Sequence, residues 1–169
     1  MKGNFDKCLE MVLKHEGGFV NHPKDPGGAT NMGVTLATYE QWVGRSVSIE
    51  EMKNLAFQDV APIYKKNYWD KVRGDDLPSG VDWSVFDWAV NSGPGRAAKA
   101  LQKIVMVGQD GAIGPITLAA VHNHDAKEVI EAMYHSRQRF YENLSTFETF
   151  GRGWTRRNKE TLEAALGMA

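Results

Sequence analysis

Residues 4–18 read NFDKCLEMVLKHEGG, and the spacing of their apolar members decides how the chain begins to fold. Phe5, Cys8, Leu9, Val12 and Leu13 recur at the 3.6-residue period of an α-helix and make one apolar stripe. Asn4 is placed to cap this helix, and Gly17-Gly18 to stop it, because glycine accepts the left-handed backbone of a helix end. One turn beyond Val12 and Leu13 the stripe continues onto Glu16, where packing alone asks for Leu or Ile. A carboxyl set against apolar surface has its charged form disfavoured, the condition a general acid needs to keep its proton near neutral pH. The bland alternative is a helix that frays at His15 and leaves Glu16 in water. Position alone weighs the two about equally.

Outward from Glu16, residues 19–35 read FVNHPKDPGGATNMGVT, dense in Gly, Pro, Asn and Asp. This composition resists helix and suits tight turns with one short hairpin. Gly17-Gly18 leaves bare backbone beside Glu16, so a substrate can approach closely. Pro23 and Pro26 restrict the backbone around Asp25, and Thr30 follows. A second carboxylate across a cleft from the first, with a hydroxyl nearby, is what hydrolysis of a glycosidic bond by water requires. The competing reading is an Asx-type turn in which Asp25 and Thr30 only satisfy loop amides.

The rest reads as helices. Thr35 opens one through Trp42, ended by Gly44; Ser48 with Glu51 forms a capping box for another; Asp59 caps a third that runs to about Trp69. Residues 81–91 are apolar around most of the circumference, as in a helix buried mid-fold, and Gly93-Pro94-Gly95 breaks it. Further helices are expected near 97–107, 115–121, 125–143 and 155–166. On the central helix Ser84, Asp87 and Asn91 form a narrow polar stripe, either a solvent edge or the lining of a cleft. Tyr68 and Trp69 are the first choices for an aromatic platform, while Trp83 and Trp88 read as core. Asn91 and Gln102 offer side-chain amides to a ligand.

Composition narrows the class. At 169 residues, the chain has the length of about one domain. A net charge of -1 supplies no global field for nucleic acid. A single cysteine excludes an internal disulfide, and Cys8, on the apolar stripe, reads as a small hydrophobe rather than a nucleophile. His122 and His124 have no Cys or HExxH companion, and GGATNMG lacks the ending of a phosphate-binding loop. Arg152, Arg156 and Arg157 read as a solvated basic patch. No cofactor and no metal are expected. The N-terminus lacks the pattern of a secretory signal, so synthesis in the cytoplasm without a signal peptide is expected, with no membrane insertion.

The stretch HEGGFVNHPKDPGGATNMGVT, residues 15–35, resembles glycoside hydrolase family 108, the lysozyme-like muramidases of phages and bacteria. The Tyr68-Trp69 pair and FDWAVNSG at 86–93 extend the resemblance. ALQKIVMVGQDGAIGPITLAAV at 100–121, with FGRGWTRR at 150–157, is similar to the small peptidoglycan-binding region that accompanies these enzymes. The resemblance implies that Glu16, in the E-G-G element, is catalytic. The spacing of Glu16, Asp25 and Thr30 is similar to the Glu–Asp–Thr arrangement of phage lysozymes, except that Thr30 stands one position closer, with Asn31 the neighbour able to replace it.

The fold class expected is mainly α: a lysozyme-like, two-lobed helical fold with a small irregular hairpin insert near 19–35. Residues 1–93 would form the catalytic lobe and 94–169 a helical peptidoglycan-binding lobe packed onto it in one unit. The implied activity is hydrolysis of the β-1,4 bond between N-acetylmuramic acid and N-acetylglucosamine by a monomeric enzyme reaching the wall after release or export by separate machinery. Glu16 would protonate the leaving oxygen, while Asp25 and Thr30 held a water. Inversion is expected, with the carboxyls roughly 6.5–9.5 Å apart. Rival readings are a lytic transglycosylase, a non-catalytic peptidoglycan-binding module and, remotely, a thiol peptidase built on Cys8.

Overall fold

Helix α5 (Val81–Ser92) is the axis of the molecule, and its composition explains why: every residue from Val81 through Ala89 is buried. A helix buried around its whole circumference needs other helices on every side of it. In the computed structural model, which describes residues 1–22 and 28–169, those neighbours are α1 (Phe5–His15), α6 (Pro94–Ile104), α8 (Ala126–Glu142) and α9 (Phe147–Met168). The remaining helices are α2 (Leu36–Val43), α3 (Ile49–Lys53), α4 (Phe57–Tyr64) and α7 (Pro115–His122). Strands β1 (Thr30–Asn31) and β2 (Val34–Thr35) pair antiparallel, with Thr30 opposite Thr35. The fold is mainly α with a small hairpin, as the sequence predicts. Among the described residues no helix is long and apolar enough to cross a membrane.

Local signals set several boundaries. Thr35 caps α2 by accepting the Thr38 amide, and Gly44 ends it with a left-handed backbone at φ 73°. Ser48 likewise accepts the Glu51 amide, although the Glu51 carboxylate turns to Arg45 rather than back onto the cap. Asp59 sits inside α4, not ahead of it, and reaches back to accept the Ala56 amide at 2.8 Å. Beyond Tyr64 the helix widens into a π-turn, Lys65–Trp69, closed by the Asp70 amide donating to the Lys65 carbonyl. The hairpin turns through Met32 (φ 51°) and Gly33 (φ 76°), two left-handed residues that match the twist of a tight two-residue turn.

Four expectations are corrected. Asn4 does not cap α1; its amide donates to Ser79 and to the buried Asp82, tying the start of α1 to the start of α5. Gly17-Gly18 does not stop α1 through left-handed glycine, because Glu16 itself turns extended at φ -81°, ψ 143°. Helix α9 begins at Phe147, not near 155: Gly151 lies inside it, where a Cβ would stand 2.6 Å from the Phe147 ring. There the glycine makes room for a ring and does not break the helix.

The fourth concerns the polar stripe of α5, which is neither a solvent edge nor a cleft wall. Asp87 is completely buried and meets Arg137 of α8 at 2.8 Å and Arg157 of α9 at 2.9 Å. The Thr161 hydroxyl donates to the same carboxylate at 3.0 Å. Burial pushes the Asp87 carboxyl up, but the two guanidiniums overcome that and hold it at about 2. Asn91 accepts from the Tyr141 hydroxyl, which in turn accepts from Arg137 at 2.8 Å. The stripe therefore joins α5 to α8 and α9 through a buried charged network.

Candidate active site

Glu16 stands where α1 ends, and its extended backbone projects the side chain past the last turn. The carboxyl is one-quarter exposed rather than sunk in the apolar stripe, and it faces three groups from distant parts of the chain. From the hairpin comes Gly33: a Cβ built there would lie 2.9 Å from Glu16 Oε2 and 2.4 Å from Tyr64 Oη. From α4 comes Tyr64, whose hydroxyl donates to the Met32 carbonyl at 2.8 Å and so pins the turn above the carboxyl. Burial first, and then the Glu16 charge, push the Tyr64 phenol up, so it remains a protonated donor. From α9 comes Arg157, with Nη1 3.9 Å from Glu16 Oε1.

Arg157 is fixed from behind. Its Nε and Nη2 donate to the two oxygens of Asp87 at 3.2 and 2.9 Å, a two-point grip that sets the plane of the guanidinium. Burial lowers the affinity of Arg157 for its proton, but Asp87 and then Glu16 raise it further, so the group stays a cation. Asp87, Arg157 and Glu16 thus form a line from the buried axis to the surface. Where it ends, a pocket of about 130 Å³ opens, with Glu16, Gly33, Thr38, Tyr64 and Tyr68 among its walls. Beside it, a Cβ on Gly17 or Gly18 would meet nothing within 4 Å, so the backbone there borders open space.

The sequence-predicted residues fall in different places. Glu16 and Tyr68 meet at this pocket, the Tyr68 ring 5.7 Å from that of Tyr64. Asp25 lies outside the described residues. Thr30 is on β1, its backbone paired with Val20 and Thr35, and it is not among the pocket walls. Asn31 is buried and donates to the carbonyls of Met52 and Lys53, which anchors the hairpin to α3.

Three of the amide and aromatic assignments are corrected. Trp69 is fully buried, edge-on to Phe5 and Phe86 with its indole donating to Asp75, so it offers no face to a ligand. Gln102 is buried too. Its amide nitrogen donates to Asp110, Ala112 and Thr117 and its carbonyl accepts from Gly111, organising the D-G-x-I-G-P-x-T loop from within. Asn91 is committed to Tyr141 and Ser92 and lies behind the site, not on its wall.

Elsewhere, the Cys8 thiol is pushed up by burial, consistent with a small packing residue. His122 and His124 each bond a backbone carbonyl. Sequence reasoning missed Tyr64 and Gly33 and set Arg157 in a solvated patch, whereas Arg157 is 14% exposed and bound to Asp87. The i, i+4 spacing of Tyr64 and Tyr68 was the available sign that both face one side. Nothing local marks Arg157 as different from Arg156.

The packing of Gly33 onto Glu16 makes a testable demand. Gly33→Ala must put a Cβ on a left-handed residue, at about 1–2 kcal/mol, and must displace either Tyr64 or Glu16. A misplacement of about 1 Å in a group that a reaction uses lowers turnover on the order of 10²-fold. We expect a modest fall in thermal midpoint with a disproportionate fall in kcat. Wild-type kcat in this variant would show that the contact is incidental.

A family model described as glycosyl hydrolase 108 matches residues 9–93, and one described as "Predicted Peptidoglycan domain" matches residues 96–159. A solved structure titled "Structure of Brucella abortus SagA" is 51% identical, with a TM-score of 0.84 over 99% of this chain and 96% of that one. No curated protein matches the chain.

Proposed function

We propose, from the premise that the chain belongs to the glycosyl hydrolase 108 family and is a lysozyme-like enzyme acting on peptidoglycan, that Glu16 is its general acid. The bond cleaved is the β-1,4 link between N-acetylmuramic acid and N-acetylglucosamine. The observation that carries this reading is the meeting of the Glu16 carboxyl with Arg157 and the Gly33 turn at the pocket wall.

The reaction follows from that geometry. The Glu16 carboxyl gives its proton to the glycosidic oxygen as the bond to the anomeric carbon breaks, and the leaving sugar departs as an alcohol. Positive charge develops on the sugar ring while Glu16 becomes a carboxylate. Arg157, held rigid by Asp87, stabilises that carboxylate as it forms, an interaction strongest where catalysis needs it. Water then attacks the anomeric carbon and passes a proton to a base, restoring neutrality. We assign that base to Asp25, with the Thr30 hydroxyl helping to hold the water. Arg157 is a positioning residue, and because it comes from α9, the C-terminal part of the chain completes the catalytic centre.

Mass spectrometry of the fragments released from purified peptidoglycan tests the proposal. A hydrolase leaves reducing-end N-acetylmuramic acid. An anhydro-muramic end would mean a lytic transglycosylase, and no glycan fragments would mean a binder. Proton NMR of the fresh reducing ends, read before mutarotation, should show the α-anomer that inversion produces; an initial β-anomer would assign Asp25 as a nucleophile instead.

A further inference from the structure

The pocket at Glu16 does not end at Glu16. Thr38, Ile63 and Asn67 line it and also line a second hollow of about 480 Å³ on its far side, completed by Gln41, Trp42 and Lys66. That volume falls within the roughly 300–1,000 Å³ of small-molecule sites. The two spaces share three walls and adjoin at Thr38, Ile63 and Asn67, so that together they border a groove beside α2 and the π-turn.

The groove has the chemistry of a sugar site with a charge reader. Trp42 is 39% exposed, whereas Trp69, Trp83 and Trp88 are buried. An exposed indole in a mostly polar groove presents an apolar face of the kind that stacks on a pyranose ring. Thr38, Gln41 and Asn67 bring a hydroxyl and two amides to the same walls, suited to hydroxyl and acetamido groups. Lys66 stands over the Trp42 ring, its Nζ 5.6 Å from the centroid. The adjacent Lys65 is bound to Asp70 at 2.8 Å, but among the described residues Lys66 makes no ion pair. A cation above an aromatic floor, without a carboxylate of its own, suits a ligand that carries one. The π-turn that presents Lys66 and Asn67 is a backbone irregularity found often at functional sites.

We propose that Trp42, Asn67 and Lys66 form a saccharide subsite next to the scissile bond, which takes an acetamido sugar bearing an acidic branch. Trp42 stacks on the ring, and Lys66 pairs with a carboxylate of the peptide stem. The inference rests on the glycosidase reading of Glu16 and gives that site its substrate selectivity.

The whole Glu16→Gln chain serves as the binding background, because it is expected to hold glycan without cutting it. The probes are soluble glycan strands with their peptide stems, the same strands stripped of stems by an amidase, and a β-1,4-linked N-acetylglucosamine oligomer. Trp42→Ala should weaken all three about tenfold, the loss of one aromatic contact of about 1.4 kcal/mol, with unchanged thermal melting. Trp42→Phe should retain most of the affinity yet lose the change in tryptophan fluorescence on binding. Lys66→Gln should weaken only the stem-bearing strands, and added salt should erase the difference.

Unchanged affinity of Trp42→Ala for all three probes overturns the subsite. A Lys66→Gln protein that still prefers stemmed over stripped strands as strongly as its parent overturns the charge reader. Cleavage by the otherwise wild-type enzyme separates the two levels. If it leaves strands uncut, the glycosidase reading fails; if it cuts, and Trp42→Ala cuts and binds equally well, the subsite alone fails.

Discussion

Glu16→Gln is expected to lower the release of glycan fragments by roughly 10²–10⁴-fold, the usual contribution of a positioned proton donor. The amide matches the carboxyl in shape and can still sit beneath Gly33 and Tyr64, but it has no proton to give to a departing oxygen. The fold should be indifferent. Arg157 keeps its two bonds to Asp87, and its 3.9 Å approach to Glu16 is too long to be a hydrogen bond whose loss would matter. A change in stability within about 0.5 kcal/mol is therefore expected, because the amide fills the same space and Arg157 keeps Asp87 as its partner. Clearance of wall suspensions at the wild-type rate by folded Glu16→Gln protein would remove Glu16 from the mechanism. Clearance lost together with the melting transition would make Glu16 a structural residue.

The contrast between α1 and Arg157 shows what the sequence could disclose. The buried face of α1 is legible because a helix period is local and five apolar residues fix it, whereas Glu16 turns off that face on extended backbone. The same locality makes Thr35, Ser48 and Gly44 readable as helix ends, and residues 81–91 as the buried axis. It fails wherever a side chain answers to a partner far along the chain. Asn4 has the composition of a cap but bonds Asp82. Trp69 has the composition of a platform but fills the space between Phe5 and Phe86, with Gly74 leaving room for its ring. Gly151 has the composition of a helix breaker but stands inside α9, where it makes room for the Phe147 ring. Arg157 shares a short run with Arg152 and Arg156, and only tertiary packing against Asp87, seventy residues earlier, sets it apart.

Asp87→Ala should be the most destabilising single change in the network, at about 3–5 kcal/mol, the range for breaking a buried ion pair from one side. Arg137 is 2% exposed and Arg157 is 14% exposed, so both would keep their charge in a space that water cannot easily fill. Against a typical total stability of about 5–15 kcal/mol, that is a large fraction, and it falls on the contact that holds α8 and α9 to α5. Asp87→Asn should be milder, since an amide oxygen can still accept from Thr161. Pairing Asp87→Ala with Arg137→Met should recover part of the loss by removing one stranded charge.

Acid supplies an independent reading of the same group. The folded pKa of Asp87 is lowered to about 2, against about 3.9 for an ordinary aspartate. A depressed carboxyl contributes its stability fully above the unfolded value and loses it as pH falls through the folded one. Urea midpoints of the wild type should therefore drop between pH ~4 and ~2, and Asp87→Asn should show a shallower drop over that window. The catalytic consequence separates a hub from a mere brace. With the guanidinium of Arg157 no longer gripped from behind, kcat of the folded fraction should fall in Asp87→Asn while KM stays near the wild-type value. Equal slopes in acid would show that the Asp87 charge does not hold the helices together, whereas unchanged kcat in a variant that has lost stability would confine Asp87 to that bracing role.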